Sequence, residues 1–318
     1  MPLATKAIKQ KIKSVGNIKK ITKTMEMVSV SKMRRAVDHA LASRTYSHYA
    51  LELLINLSKD KNISHPLMLV PHSLGDAGVA GKSNKELIVL VASNKGLCGG
   101  YHTNLLKSLT LYLKKEESRG RELKAITVGK YAERICKKLG IAAFAGFNNF
   151  SEYSTIAQTK ELSDLISKEY KTGEYQSIKI LYTEFLKSTT YKPVLREIFP
   201  INVGTIENIL EADSSEAFSG EETQGKATFD FVDYKFEPDL ESILESILPG
   251  LVDVVVYQTL AEAFASEHSA RMFAMKNAGD SATTILDGFM LSYNHARQDG
   301  ITRELSEIVA GAEALNTN

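Results

Sequence analysis

The 318-residue chain has two cysteines, seven prolines and no long hydrophobic run. Each shortage excludes a class of protein. Cys98 and Cys136 lie far apart in the chain, which suits reduced, buried thiols and offers neither a disulfide frame nor a zinc-ligand spacing. No stretch approaches the ~18 to 20 consecutive apolar residues of a membrane span, and no apolar signal core follows the N-terminal lysines. The expectation is a soluble chain that is not exported. The seven histidines form no His-x-x-x-His pair for a metal, and no Gly-x-Ser-x-Gly elbow is present. Glu237 and Asp239 flank Pro238 where a strand meets a helix, and Asp239 reads better as an N-cap than as half of an acid/base pair. Neither catalytic residues nor a cofactor or metal site are expected.

Proline is missing altogether from two long stretches. Between residues 3 and 57 there is also only one glycine, Gly16, while Ile8, Ile12, Val15, Ile18, Ile21, Met25 and Val28 recur at helical spacing. About 55 helical residues would run roughly 80 Å, so such a helix needs a partner along its side. After Pro249 the chain supplies one. Val254, Leu260, Phe264, Met272, Met275, Leu286, Met290 and Tyr293 continue into Ile301, Leu305, Ile308, Ala312 and Leu315, which step by four and three as heptads do. The two segments are expected to pair antiparallel, with Met and Ala filling a narrow seam. Gly279, Gly288 and Gly300 mark places of bending or close packing.

Between them the pattern shortens. Strands are expected at 86–92, 123–128, 178–186, 194–199 and 228–236, and helices at 101–117, 130–139 and 154–169. This order describes an open, partly parallel, Rossmann-like α/β domain. The expected organisation is an N-terminal coiled-coil helix at 1–59, a linker at 60–85, the α/β domain at 86–238 with an inserted loop at 204–226, and a C-terminal coiled-coil helix at 239–318. The fold class is α/β with a long antiparallel coiled coil.

Charge of one sign is scarce at the start. Residues 1–44 hold 11 Lys/Arg against Glu26 and Asp38, a net +9, while the remainder carries −8. Such a run is a solvated helix face, or it meets an acidic protein, a nucleic acid or anionic lipid. No aromatic residue precedes Tyr46, so base-stacking platforms are missing, and an acidic protein surface fits Lys32, Arg34 and Arg35 better than nucleic acid does. The glycine-rich SNKGLCGG, residues 93–100, sits between a strand and a helix, where backbone N–H groups can cradle phosphate. Its spacing matches neither a Walker loop nor Gly-x-Gly-x-x-Gly, which leaves a tight turn or a protein-contact loop.

Four blocks resemble one family. They are IKQKIKSVGNIKKITKTMEMVSVSKMRRA at 8–36, the SNKGLCGG loop, the stretch YKFEPDLESILESILPGLVDVVVYQTLAEAFASEHSARMFAMKNAGD, and the tail SYNHARQDGITRELSEIVAGAEAL. Together they are similar to the gamma subunit of F-type ATP synthase, over most of the chain. The resemblance implies a rotating central stalk: a coiled coil inside a ring of alternating alpha and beta subunits, coupling transmembrane proton flow to ATP synthesis in the beta subunits. The chain itself would carry no active site. It would act at the cytoplasmic face of a bacterial plasma membrane, held there by the complex. Met25, Lys32, Arg34, Arg35 and Lys95 match the family's positions near the acidic lever of the beta subunits. Arg297, Gln298, Thr302 and Glu304 match the segment engaging their catch loop, and Tyr234, Phe236 and Glu237 match the contact with the epsilon subunit and the c-subunit ring. Two departures stand out. Asn94 and Lys95 replace the family's usual Asp-Arg, and the 204–226 loop has no cysteine for the dithiol switch of plant chloroplast relatives.

Overall fold

The computed structural model describes residues 3–57, 67–68, 84–201 and 240–316, with side chains placed for 5–42, 67–68, 84–201 and 242–312. The 60–85 linker (apart from 67–68 and 84–85), the 204–226 loop, the 228–236 strand and Asp239 lie outside the described residues. The chain divides into two compact units, 30–270 and a second made of 1–29 with 271–318.

In the larger unit, β1 (Lys85–Val91), β2 (Glu122–Val128), β3 (Ala142–Phe147), β4 (Ser177–Lys187) and β5 (Thr190–Phe199) form one sheet in the order β3-β2-β1-β4-β5. Four strands are parallel, and β5 returns antiparallel to β4. Alternation along β1 explains the layering. Leu87, Val89 and Val91 face one core and Ile88, Leu90 and Ala92 the other, so both sheet faces must be covered. Helices α2 (Tyr101–Glu117) and α3 (Lys130–Leu139) cover one face through Leu105, Leu109, Ala132 and Ile135. The other is covered by Leu162 and Ile166 of α4 (Ile156–Lys171), Met33 and Ala36 of α1 (Leu3–Leu57), and Leu248 to Ala265 of α5 (Leu240–Asn316).

The sequence pattern passes over β3. Its residues, AAFAGF, have weak strand preference and four of the six are exposed, so no apolar alternation announces an edge strand. β5 begins four residues before the expected 194 because Pro193 reads as a breaker; at the edge of the described sheet its missing N–H costs no ladder bond to an outer neighbour. Pro249 likewise sits inside α5. An interior proline costs about 3 kcal/mol, and burying Leu244, Leu248, Leu251 and Val252 around it contributes more, at roughly 1.5 to 3 kcal/mol each. Between residues 242 and 312 α5 also holds an 18-residue window with mean hydropathy 1.4, apolar enough to cross a membrane although its apolar residues are not consecutive; 61% of that window is buried inside the protein.

A buried charge cluster sits on the sheet of this unit. Glu86 on β1 is 2% exposed and accepts bonds from Arg121 Nη1 (2.6 Å), Ser177 Oγ (3.2 Å), Lys179 Nζ (3.3 Å) and the Tyr112 hydroxyl. Burial favours its neutral acid, but these donors prevail and keep the carboxyl below its ordinary range.

In the smaller unit, α1 and α5 run antiparallel. A Cβ at Gly279 would meet Thr22 Oγ1 at 3.4 Å, and Lys11 Nζ lies 5.6 Å from the Phe289 ring centroid, so positions ascend in one helix as they descend in the other. The seam differs from the expected one. Thr5, Thr22 and Ser29 are buried in α1, whereas Ile18, Ile21 and Val28 are exposed. Small hydroxyl side chains allow close approach, and their Oγ atoms bond back to the helix's own carbonyls, as Thr22 does to Lys19 and Ser29 to Met25. Met275 and Ala282 fill the α5 side, in keeping with a Met/Ala seam. Gly279 is the close approach; Gly288 faces open space. The last heptads have a different fate. Continued at the same register, the pairing reaches Leu3 near residue 297, so about 19 residues of α5, or roughly 28 Å, extend past α1. Residues 301–312 are all exposed, and Ile301, Leu305 and Ile308 have no helix partner among the described residues.

Candidate functional site

In the larger unit the basic turn of α1 meets the turn that precedes α4. Lys32 Nζ lies 2.5 Å from Glu152 Oε1, and His268 Nε2 of α5 lies 3.4 Å from Glu152 Oε2. One carboxylate therefore joins three elements. Burial alone would raise the Glu152 carboxyl, but the close approach of His268 and Lys32, with a backbone donor, outweighs it and holds it at about 2. Arg35 Nη1 donates to the Tyr153 hydroxyl at 2.5 Å, with its guanidinium carbon 4.8 Å from the ring centroid. Arg34 and Arg35 are exposed, while Lys32 is partly covered.

The glycine-rich loop closes the C-terminal end of β1. Leu97 (φ 62°) and Gly99 (φ 56°) are left-handed, which reverses the chain within a few residues before α2 begins. Ser93 Oγ bonds the Lys95 carbonyl (2.6 Å) and His102 Nε2 (2.7 Å), and His102 stacks on Tyr131 at 3.9 Å. Asn94 uses both ends of its amide, accepting from the Lys130 N–H that opens α3 and donating to the Asn148 carbonyl. An aspartate there could accept but not donate, so the departure at this position has a local reason. Lys95 is exposed.

Nucleotides bind doubly wound sheets where the strand order reverses, here between the C-terminal ends of β1 and β4. Helix α5 occupies that place. The Tyr101 hydroxyl bonds the Ala263 carbonyl (3.4 Å), Ser269 Oγ donates to the Ser188 carbonyl, and Ala270 packs with Cys98 and Tyr101. The loop is a tight turn beneath a packed helix. Cys98 and Cys136 are both buried thiols outside any disulfide, Cys98 Sγ lying 3.3 Å from His102 Nδ1, and burial pushes Cys136 up to about 11.

The remaining expected site residues divide between the units. Met25 is half-buried, and Arg297, Gln298, Thr302 and Glu304 are exposed along the C-terminal part of α5, all in the smaller unit. Tyr234, Phe236 and Glu237 lie outside the described residues. Glu152, Tyr153 and His268 are absent from the sequence reading. Nothing local marks them, since Glu152 and His268 meet Lys32 only through the fold.

A family profile described as ATP synthase matches residues 4–315. The ATP synthase gamma chain of Delftia acidovorans is 37% identical over 98% of this chain and 99% of its own length. The chain belongs to the ATP synthase gamma family. The gamma chain of Variovorax paradoxus is likewise 37% identical, with 98% of each chain covered. Among solved structures, a chain of the Euglena gracilis mitochondrial ATP synthase is similar with a TM-score of 0.61 at 18% identity, covering 98% of this chain and 94% of its own. A rotor chain from the same organism gives 0.56 at 19%, covering 94% and 99%. These likenesses fix the fold as that of a gamma subunit. A nucleic-acid contact for the basic segment finds no support among them.

Proposed function

We propose that this chain is the rotating central stalk of a bacterial ATP synthase, coupling transmembrane ion flow to the synthesis or hydrolysis of ATP on the beta subunits. Membership of the gamma family supports the assignment, and the observation that carries the mechanism is the paired helices of the smaller unit. Two long helices pack on a seam of Thr22, Gly279, Met275 and Ala282, and one continues beyond the other with its apolar residues exposed. A helix of that kind suits insertion into a surrounding ring. Turning inside the ring, an asymmetric rod contacts each beta subunit differently, and differential contact is what shifts a site between affinities.

On this reading the alpha and beta subunits surround the smaller unit, and the epsilon subunit and the c-subunit ring meet the 234–237 segment. Arg34, Arg35 and Lys95 offer exposed cations to the acidic lever of the beta subunits, and Met25 lies on the same helix as the two arginines, while the charge of Lys32 is met within the chain by Glu152. Arg297, Gln298, Thr302 and Glu304 offer exposed side chains to the catch loop. The chain reaches the cytoplasmic face of the membrane only as part of the complex. Mixing the full chain with alpha and beta subunits tests this. A stable complex with accelerated ATP hydrolysis is the expected result, and failure to assemble with them would overturn the proposal.

A further inference from the structure

The turn at 151–154 is closed by its own hydrogen bonds. Ser151 N–H donates to Ser154 Oγ (3.0 Å), Ser154 N–H to the Ser151 carbonyl (3.0 Å) and Tyr153 N–H to Ser151 Oγ (3.3 Å). Phe150, buried beside it, stacks on Phe147. From this turn two side chains reach the basic turn of α1 with opposite electrostatic effect. Glu152 carries a charge and cancels that of Lys32 at 2.5 Å. Tyr153 carries none. Its ring face and hydroxyl both hold the Arg35 guanidinium, yet leave the positive charge intact on the surface, where the tyrosine itself is 55% exposed.

We infer that Tyr153 is a positioning residue that presents Arg35 to an acidic protein partner, while Glu152 withholds Lys32 from the same contact. The inference rests on the reading that this turn of α1 meets carboxylates of a partner subunit. Of three adjacent cations that look alike in sequence, Arg34 and Arg35 then carry the contact. An arginine already held in one conformation loses less freedom when a partner binds, so the holding residue contributes to affinity without touching the partner's carboxylate.

A double-mutant cycle on the full chain, titrated into the alpha and beta subunits with ATP hydrolysis as readout, tests the assignment. Arg35→Gln should weaken the apparent affinity, more so at low salt. Tyr153→Leu should weaken it by about 2- to 10-fold, the range for freeing one immobilised side chain, and should have no further effect once Arg35 is gone. Tyr153→Phe, which keeps the ring, should recover most of the loss. Lys32→Gln should leave the affinity near that of the natural chain. The thermal midpoint of each free chain separates loss of fold from loss of contact. Wild-type affinity in Tyr153→Leu, or losses that simply add to those of Arg35→Gln, would overturn the inference while leaving the partner reading intact. An unchanged affinity in Arg35→Gln would overturn both, and a loss in Lys32→Gln equal to that of Arg35→Gln would overturn the role given to Glu152.

Discussion

Lys32 Nζ on α1 lies 2.5 Å from Glu152 Oε1, and the far oxygen of the same carboxylate lies 3.4 Å from His268 Nε2 on α5. A carboxylate so placed couples stability to pH. Its folded pKa of about 2 is below the ordinary 4.5, so its contribution is fully present above pH 4.5 and is lost as pH falls toward 2. Glu152→Gln should destabilise the chain by about 1 to 3 kcal/mol at neutral pH. Between pH 4.5 and 2 the variant's thermal midpoint should fall less steeply than the natural chain's. Parallel profiles across that window would show that Glu152 contributes no pH-dependent stability.

Gly129 joins β2 to α3 with φ of +90°, and a Cβ there would lie 2.3 Å from the Ala92 carbonyl oxygen. Both conflicts involve backbone, which cannot move aside as a side chain can. Gly129→Ala should cost at least about 3 kcal/mol or prevent folding, as read by denaturant unfolding. A loss below about 1 kcal/mol would mean that the junction is looser than described.

Gly288 poses the opposite case. It is helical, and a Cβ meets nothing within 4 Å. Gly288→Ala should stabilise the free chain by up to about 1 kcal/mol, because alanine loses less backbone freedom in a helix. Calorimetry of the two chains side by side checks the sign.

Arg34 is exposed on α1. Arg34→Glu should therefore shift stability by no more than about 0.5 kcal/mol, while ATP hydrolysis by the assembled complex falls and the fall depends on salt. Equal loss of fold and of activity would mark Arg34 as structural.

Long-range order was legible where one period governs many residues. Helices at 101–117 and 130–139 have the expected bounds because their apolar spacing is local, and β1 and β4 announce themselves as continuous buried runs. β3 escaped because alanine and glycine carry little pattern. The seam of the paired helices was misread in part for a related reason: apolar spacing points to Ile18, Ile21 and Val28, while close approach of two helices selects Thr22 and Ser29, whose hydroxyls are satisfied within their own helix. At the site, the basic turn of α1 was visible as charge. Its internal partners were not, since Tyr153 is 118 positions from Arg35 and no spacing rule links them.

The overhanging end of α5 has a consequence for how such a chain is made. Ile301, Leu305, Ile308 and Val309 form an apolar surface that no described residue of the chain covers. A copy produced in excess of its partners would carry that surface into solution, where it invites self-association and degradation. Synthesis matched to the partner subunits, rather than any gain in intrinsic folding stability, is what would keep the orphan copy scarce.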